Sequence, residues 1–167
     1  MEVSVIASRN TKGEIKTFPL VENIHEKNIL RQTIAPARTN NEVSQKASKI
    51  ASDTMNVLNG AGVFGIEMFV TQDDDIVINE IAPRVHNSGH LTMNAHNVSQ
   101  FENHIRAVCN LKLIKPKRIH KAIMYNILGN DIKKYRSKEI AMKEFFYDYG
   151  KKEIKNKRKM GHLTKIF

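Results

Sequence analysis

Residues 62–82 read GVFGIEMFV, TQDDD, IVINEIA, two β-rich apolar runs separated by five polar residues. Runs of that length and composition around a turn-forming segment predict an antiparallel hairpin. Each run carries one carboxylate in an otherwise apolar strand, Glu67 in the first and Glu80 in the second. A turn centred between Asp73 and Asp74 places residues opposite one another when their numbers sum to 147, which pairs Glu67 with Glu80. Directly opposed side chains have Cβ atoms roughly 4.5–5.5 Å apart, where like charges repel. Two carboxylates held that close want a cation, and oxygen-only ligands suit magnesium shared with substrate phosphates. The alternative is a one-residue slip that parts them, or a glutamate that merely ends a strand in solvent.

Working outward toward the N-terminus, EVSVIAS (2–8) and EIKTFPL (14–20) flank turn residues at Asn10–Gly13 and predict a first hairpin. Residues 21–40 lack clear periodicity, and Pro36 argues against a helix there. From Asn41 to Asn59 the spacing of Val43, Ala47, Ile50, Ala51 and Leu58 predicts a helix, with Asn40 as N-cap and Gly60 as stop. Toward the C-terminus, residues 83–98 are irregular. Ser99 and Glu102 then form a capping-box pattern opening a helix to about Asn110, with an apolar stripe of Phe101, Ile105, Val108 and Cys109. Beyond Lys115 the pattern predicts a strand at Ala122–Leu128, a turn at 129–131, a β-rich run near Lys143–Tyr149, and a closing run GHLTKIF. A boundary falls near 111–117, and no internal repeat is present.

The 167 residues carry 27 Lys+Arg against 17 Asp+Glu, a formal net charge of +10, with 41% apolar and 26% charged residues. That is ordinary globular composition and excludes collagen-like, mucin-like or wholly disordered chains. No apolar run reaches the roughly 20 residues that cross a bilayer, and MEVSVIASRN has no secretory pattern. The single Cys109 supports neither an internal disulfide nor a cysteine-based zinc cluster, so a reducing cytoplasm is the simplest home. The charge is uneven: residues 1–110 hold 10 basic and 12 acidic side chains, residues 111–167 hold 17 and 5. A basic segment of that kind attracts polyanions, either a phosphorylated substrate or nucleic acid, or is a solvated face. The scarcity of interleaved aromatics weighs against single-strand nucleic-acid binding.

Two segments beyond the acidic pair carry candidate chemistry. The string NEIAPRVHNSGH (79–90) places Arg, His, Asn and Ser directly after a strand, as donors for a phosphate or a developing oxyanion. His86 and His90 do not make a zinc pair, because Ser88-Gly89 between them disfavours a helix and no third ligand is near in sequence. The run from Lys151 to Lys159 holds six basic residues, either a solvated loop or a lysine and an arginine, Lys151 and Arg158, able to close over a phosphate.

NEIAPRVHNSGH followed by SQFENHIRAV resembles the ATP-grasp 5-(carboxyamino)imidazole ribonucleotide synthase family of purine biosynthesis. The resemblance continues in order along the chain through EVSVIASR, FPLVENIHEKNIL, IAPAR, GVFGIEMFV, MYNILG, and YGK followed by RKMGH. The related formate-dependent glycinamide ribonucleotide transformylase family ranks second, since it carries an aspartate after the corresponding histidine, where this chain has Asn87-Ser88. The resemblance implies an α+β fold: the C-terminal half of an ATP-grasp domain over residues 1–112 and a small, mostly-β C-terminal domain over 113–167. Family members are more than twice this length, so the chain is expected to enter midway at EVSVIA, without the nucleotide-covering loop and lysine.

By the same resemblance, ATP and bicarbonate give carboxyphosphate, which carboxylates 5-aminoimidazole ribonucleotide. Glu67 and Glu80 match magnesium ligands. Glu2, His25, Asn79 and Glu80 match nucleotide-contacting positions. Arg84, His86 and Asn87 match catalytic positions, and these with Ser88, Lys151 and Arg158 match those that hold the acceptor and its phosphate. Lys152 is an alternative to Lys151, and Ala82 stands where many relatives have an Asn metal ligand. The resemblance also implies a cytoplasmic protein, a homodimer at full length, no membrane and no nucleic-acid partner. A fragment of this kind is expected to be inactive alone. A basic phosphate- or nucleic-acid-binding module and a non-catalytic scaffold are the remaining classes.

Overall fold

The computed structural model describes residues 1–167 as an α+β molecule built on one antiparallel sheet. Its strands are β1 (Glu2–Arg9), β2 (Ile15–Thr17), β3 (Val21–Glu26), β4 (Ile29–Ala35), β5 (Gly62–Val70), β6 (Ile76–Ala82), β7 (Ala122–Leu128), β8 (Glu144–Asp148) and β9 (Lys159–Ile166). The sheet order is β6-β5-β1-β3-β4-β7-β9-β8, with β2 paired to β1. The helices are α1 (Asn41–Leu58), α2 (Thr92–Ala95), α3 (Gln100–Val108) and α4 (Ile132–Arg136). None is long and apolar enough to cross a membrane.

One face of the sheet packs on α1. Val3, Val5, Ala7, Ile66, Met68 and Val70 meet Val43, Ala47, Ala51 and Met55 in the largest buried apolar cluster. Asn40 caps α1 through its side chain, accepting from Val43 N–H at 2.8 Å. The helix ends not at Gly60 but one residue earlier, where Asn59 adopts the left-handed conformation at φ 54°. The expected stripe needs one exchange. Met55 is buried and Leu58, in the fraying last turn, is 46% exposed.

Three further expectations change. The return strand at 14–20 shortens to Ile15–Thr17 because Pro19 cannot donate to the ladder. Residues 21–35 form a hairpin, β3–β4, turned by Lys27 and Asn28, both at positive φ (51° and 61°). That pair of conformations suits a two-residue turn, but Lys27 gives no turn signal in sequence. On α3 most of the expected apolar stripe faces outward: Ile105 and Val108 are 57% and 45% exposed, Phe101 is half-buried against the His90 ring, and Gln100, Asn103 and Ala107 are buried. Asn103 is buried because it serves the backbone of Ile114, donating to its carbonyl at 2.9 Å and accepting from its N–H at 3.1 Å.

Residues 122–167 extend the same sheet. β4 pairs with β7 from Gln32↔Tyr125 to Ala35↔Ala122, so hydrogen bonding runs unbroken across the expected boundary near 112. A separate small apolar cluster of Ile127, Ile132, Met160 and Leu163 anchors α4 on β7 and β9.

Candidate active site

The hairpin β5–β6 has two registers. Near the turn, Val70↔Ile76, Phe69↔Val77 and Met68↔Ile78 are partners, so the turn centres on Asp73, with Asp74 left-handed at φ 59°. A β-bulge at Asn79 then shifts the ladder by one, and Glu67↔Glu80, Ile66↔Ile81 and Gly65↔Ala82 follow. The acidic pair therefore forms because of the bulge, not because of the turn centre assumed from sequence. The bulge has a second effect. Neighbours in a regular strand point to opposite faces, yet Asn79 and Glu80 both line the same cavity.

That cavity, about 450 Å³, lies on the sheet face opposite α1. Glu2, His25, Asn28 and Leu30 supply one side, and Glu67, Phe69, Asn79 and Glu80 the hairpin side. Arg84, His86 and Asn87 overhang it from the loop after β6, and Lys159 enters from the start of β9. The loop can approach because Gly65 lies beneath it: a Cβ there would stand 2.5 Å from His86 Cβ. Gln100 grips the loop from behind. Its Oε1 accepts from His86 N–H at 2.9 Å and its Nε2 donates to His86 C=O at 2.7 Å. Its Nε2 also lies 2.9 Å from His90 Nδ1.

The lining carries charges of both signs. Glu2 is hydrogen-bonded to His25. Burial pushes the Glu67 carboxyl above its usual range, and the Glu80 and Glu2 carboxylates add to that against the opposing pull of His25. Burial, aided by the Arg84 guanidinium, lowers His86 to about 4. The 3.6 Å contact between His86 Nε2 and Glu67 Oε1 is therefore not an ion pair at neutral pH. Burial also holds the Lys159 ammonium below its usual range, with Glu67 pulling the other way. A cavity that strains its carboxylate and its lysine in opposite senses is prepared for a ligand bringing both a cation and anionic oxygens.

Eight of the residues singled out in sequence line this one cavity: Glu2, His25, Glu67, Asn79, Glu80, Arg84, His86 and Asn87. Ser88 lies behind it, fully buried and hydrogen-bonded to His86 and Ser4. Lys151 and Arg158 do not line it. Lys151 Nζ donates to the Lys159 carbonyl at 2.6 Å beside the Tyr149 ring, and Arg158 donates to the Glu153 carbonyl at 3.1 Å. Lys159, the next residue of RKMGH, is the lysine that reaches the cavity. It closes the basic run 151–159 and opens β9, whose buried centre Met160–Thr164 fixes which way the strand enters. Asn28 and Phe69 were also missed. Asn28 is brought in by a tight turn, and Phe69 lies on the same strand face as Glu67.

The donor set suits one kind of metal. No three His, Cys, Asp or Glu side chains converge as a protein-only metal site. Glu67 and Glu80 together supply two oxygen donors, which fits a magnesium ion completed by phosphate oxygens and water and fits neither zinc nor a calcium cage. The raised Glu67 carboxyl is the observation in favour, since a divalent cation would relieve it.

A family profile described as ATP-grasp domain matches residues 1–101, and one described as phosphoribosylaminoimidazole carboxylase C-terminal domain matches residues 122–167. The chain is 48% identical over 165 residues to the N5-carboxyaminoimidazole ribonucleotide synthase of Bacillus subtilis (strain 168), covering 98% of this chain and 43% of the relative. A crystal structure of an ADP complex of N5-carboxyaminoimidazole ribonucleotide synthetase superposes with a TM-score of 0.96 at 46% identity, over 99% of this chain and 44% of that one. The Aspergillus clavatus synthase in complex with ADP and 5-aminoimidazole ribonucleotide superposes with a TM-score of 0.94 at 35% identity, over 100% and 46%. The chain thus spans less than half the length of these relatives. With the profile covering residues 1–101, the antiparallel sheet and the acidic hairpin beneath a basic loop, the chain belongs to the ATP-grasp family.

Proposed function

We propose that the chain contributes the metal- and acceptor-binding portion of a carbon–nitrogen ligase. In this reading ATP and bicarbonate form carboxyphosphate, and 5-aminoimidazole ribonucleotide is carboxylated to N5-carboxyaminoimidazole ribonucleotide with release of ADP and phosphate. The observation that carries the reading is one cavity holding the Glu67–Glu80 pair across from Arg84 and Lys159. The likeness to synthases solved with ADP and with 5-aminoimidazole ribonucleotide supports it.

Glu67 and Glu80 would hold magnesium, which when bound neutralises phosphate charge and draws the nucleotide into line. Glu2, His25 and Asn79 would meet the nucleotide, and Arg84, His86 and Asn87 the carboxyphosphate and the acceptor. The Arg84 guanidinium offers a planar fork for phosphate or carboxylate oxygens. Ser88 would act through His86. Lys159 would be the cation facing the acceptor phosphate, with Lys151 bracing its backbone and Arg158 reachable only if the 150–158 loop closes. Residues 1–112 would form the ATP-grasp portion and 113–167 the small C-terminal domain. A cytoplasmic setting and a homodimer of the full-length enzyme complete the reading, and the exposed, unpaired Cys109 suits a reducing compartment.

The test is a chimera in which this chain replaces the matching portion of the Bacillus subtilis relative. ATP hydrolysis should then require both bicarbonate and 5-aminoimidazole ribonucleotide, and Glu67→Gln or Glu80→Gln should abolish it. A folded chimera that hydrolyses ATP without regard to the acceptor would overturn the assignment.

A further inference from the structure

Behind His86, away from the cavity, four buried polar side chains form one hydrogen-bonded line across three strands. Thr33 Oγ1 on β4 donates to Asn23 Oδ1 on β3 at 3.2 Å, between direct partners in the β3–β4 register. Asn23 Nδ2 donates to Ser4 Oγ on β1 at 3.0 Å. Ser4 Oγ donates to Ser88 Oγ at 2.8 Å, and Ser88 Oγ lies 2.9 Å from His86 Nδ1. Thr33, Ser4 and Ser88 are wholly buried and Asn23 is 5% exposed, so water does not supply alternative partners.

The line has one direction. The Asn23 amide nitrogen donates to Ser4, and Ser4 gives its single proton to Ser88. Ser88, which receives from Ser4, has its own proton left for His86 Nδ1. That nitrogen is then an acceptor, and in a neutral imidazole the ring proton must sit on the other nitrogen. The other nitrogen, Nε2, faces Glu67 at 3.6 Å on the cavity side.

We infer that Thr33, Asn23, Ser4 and Ser88 are positioning residues that lock His86 in its Nε2–H form, so that the cavity meets a hydrogen-bond donor there and not a lone pair. His86 then serves anionic oxygen, as a fixed donor to a carboxylate or phosphoryl group, and is unsuited to abstract a proton from the acceptor amine. That catalytic consequence rests on the functional reading above, while the tautomer rests on the hydrogen bonds alone.

The experiment uses the 167-residue chain labelled with nitrogen-15 histidine at neutral pH, without substrate. Long-range proton–nitrogen correlation spectra read which ring nitrogen carries the proton, and loss of one set of signals in His86→Gln assigns the residue. The wild-type chain is expected to show His86 as Nε2–H. Ser4→Ala, which cuts the line, is expected to bring in the Nδ1–H form at His86 and leave the other histidines unchanged; should it not fold, Ser88→Ala removes the last donor instead. A wild-type His86 that is Nδ1–H or doubly protonated overturns the inference, as does a cut line that leaves the His86 pattern as it was. Because no substrate is present, failure of the functional reading cannot alter these spectra.

Discussion

The two walls of the cavity are held in place by different physics. The hairpin wall is set by main-chain register: once β5 and β6 pair, Glu67 and Glu80 must face each other and repel. The loop wall, Arg84 to Ser88, belongs to no strand or α-helix apart from a single 3-10 turn at Asn87–Gly89, and is held by buried side chains. Gln100 clamps the His86 backbone on both sides and Ser88 holds its ring. A wall made by register tolerates charge and mutation, since its backbone bonds persist whatever the side chains. A wall made by buried polar contacts fails when one partner is lost, because the remaining groups are stranded.

The largest effect should therefore come from Gln100→Leu. It strands His86 N–H, His86 C=O and His90 Nδ1 together, at about 1–3 kcal/mol each. Urea unfolding should lose about 3–9 kcal/mol; a loss below about 1 kcal/mol would mean the loop is held by something else.

Acid comes next, through the histidines packed behind the loop. Burial lowers His90 to about 3, with His162 and Lys159 adding to it, and burial alone lowers His162 to about 4. Their folded values lie below the unfolded value of about 6.5, so the unfolded state takes up protons first. The stability they protect is complete above pH of about 6.5 and is lost as pH falls toward their folded values. Between pH of about 7 and 5 the two together should remove about 2–4 kcal/mol. A flat midpoint of chemical unfolding over that window would show that neither is held neutral.

Gly65→Ala joins the two walls. The added methyl meets the His86 side chain at 2.5 Å, and overpacking of this kind costs about 1–3 kcal/mol. The same change should displace the His86 ring signals, and an unperturbed His86 spectrum would contradict the close approach.

The smallest effect has the opposite sign. Glu67→Gln removes the cross-strand repulsion and should stabilise the metal-free chain by about 0.2–1 kcal/mol. The gain should fade below pH of about 4.5, where the carboxyl of the unfolded chain is itself protonated, because a raised folded value penalises stability only as pH rises. Destabilisation by this change would mean that Glu67 has an unrecognised partner.

The same division governs what was legible beforehand. Helix α1 follows its apolar spacing because its core face meets apolar strands, and only Leu58 and Met55 exchange roles. Helix α3 obeys its capping signal at Ser99 and then buries the wrong face by hydrophobic reckoning. Its buried Gln100 and Asn103 are satisfied by backbone groups of distant loops, which no window along the helix contains. The hairpin pair was right although the turn centre was not, since the bulge at Asn79 restores the register that the turn alone would lose.

The strands β1, β5, β6, β7, β8 and β9, the helices α1 and α3, the acidic pair, the basic loop after β6 and the uneven charge were determined by the sequence itself. Apolar period, caps and turn residues act over a few positions and leave little choice. Tertiary structure alone decided that Lys159 lines the cavity beside Arg84 while Lys151 and Arg158 lie outside it, and that β4 joins β7 across the expected boundary. It also decided that a line of four small polar residues should orient His86. Those outcomes depend on partners tens of residues apart, and a buried hydroxyl or amide reveals its role only once the fold has chosen what it must bond to.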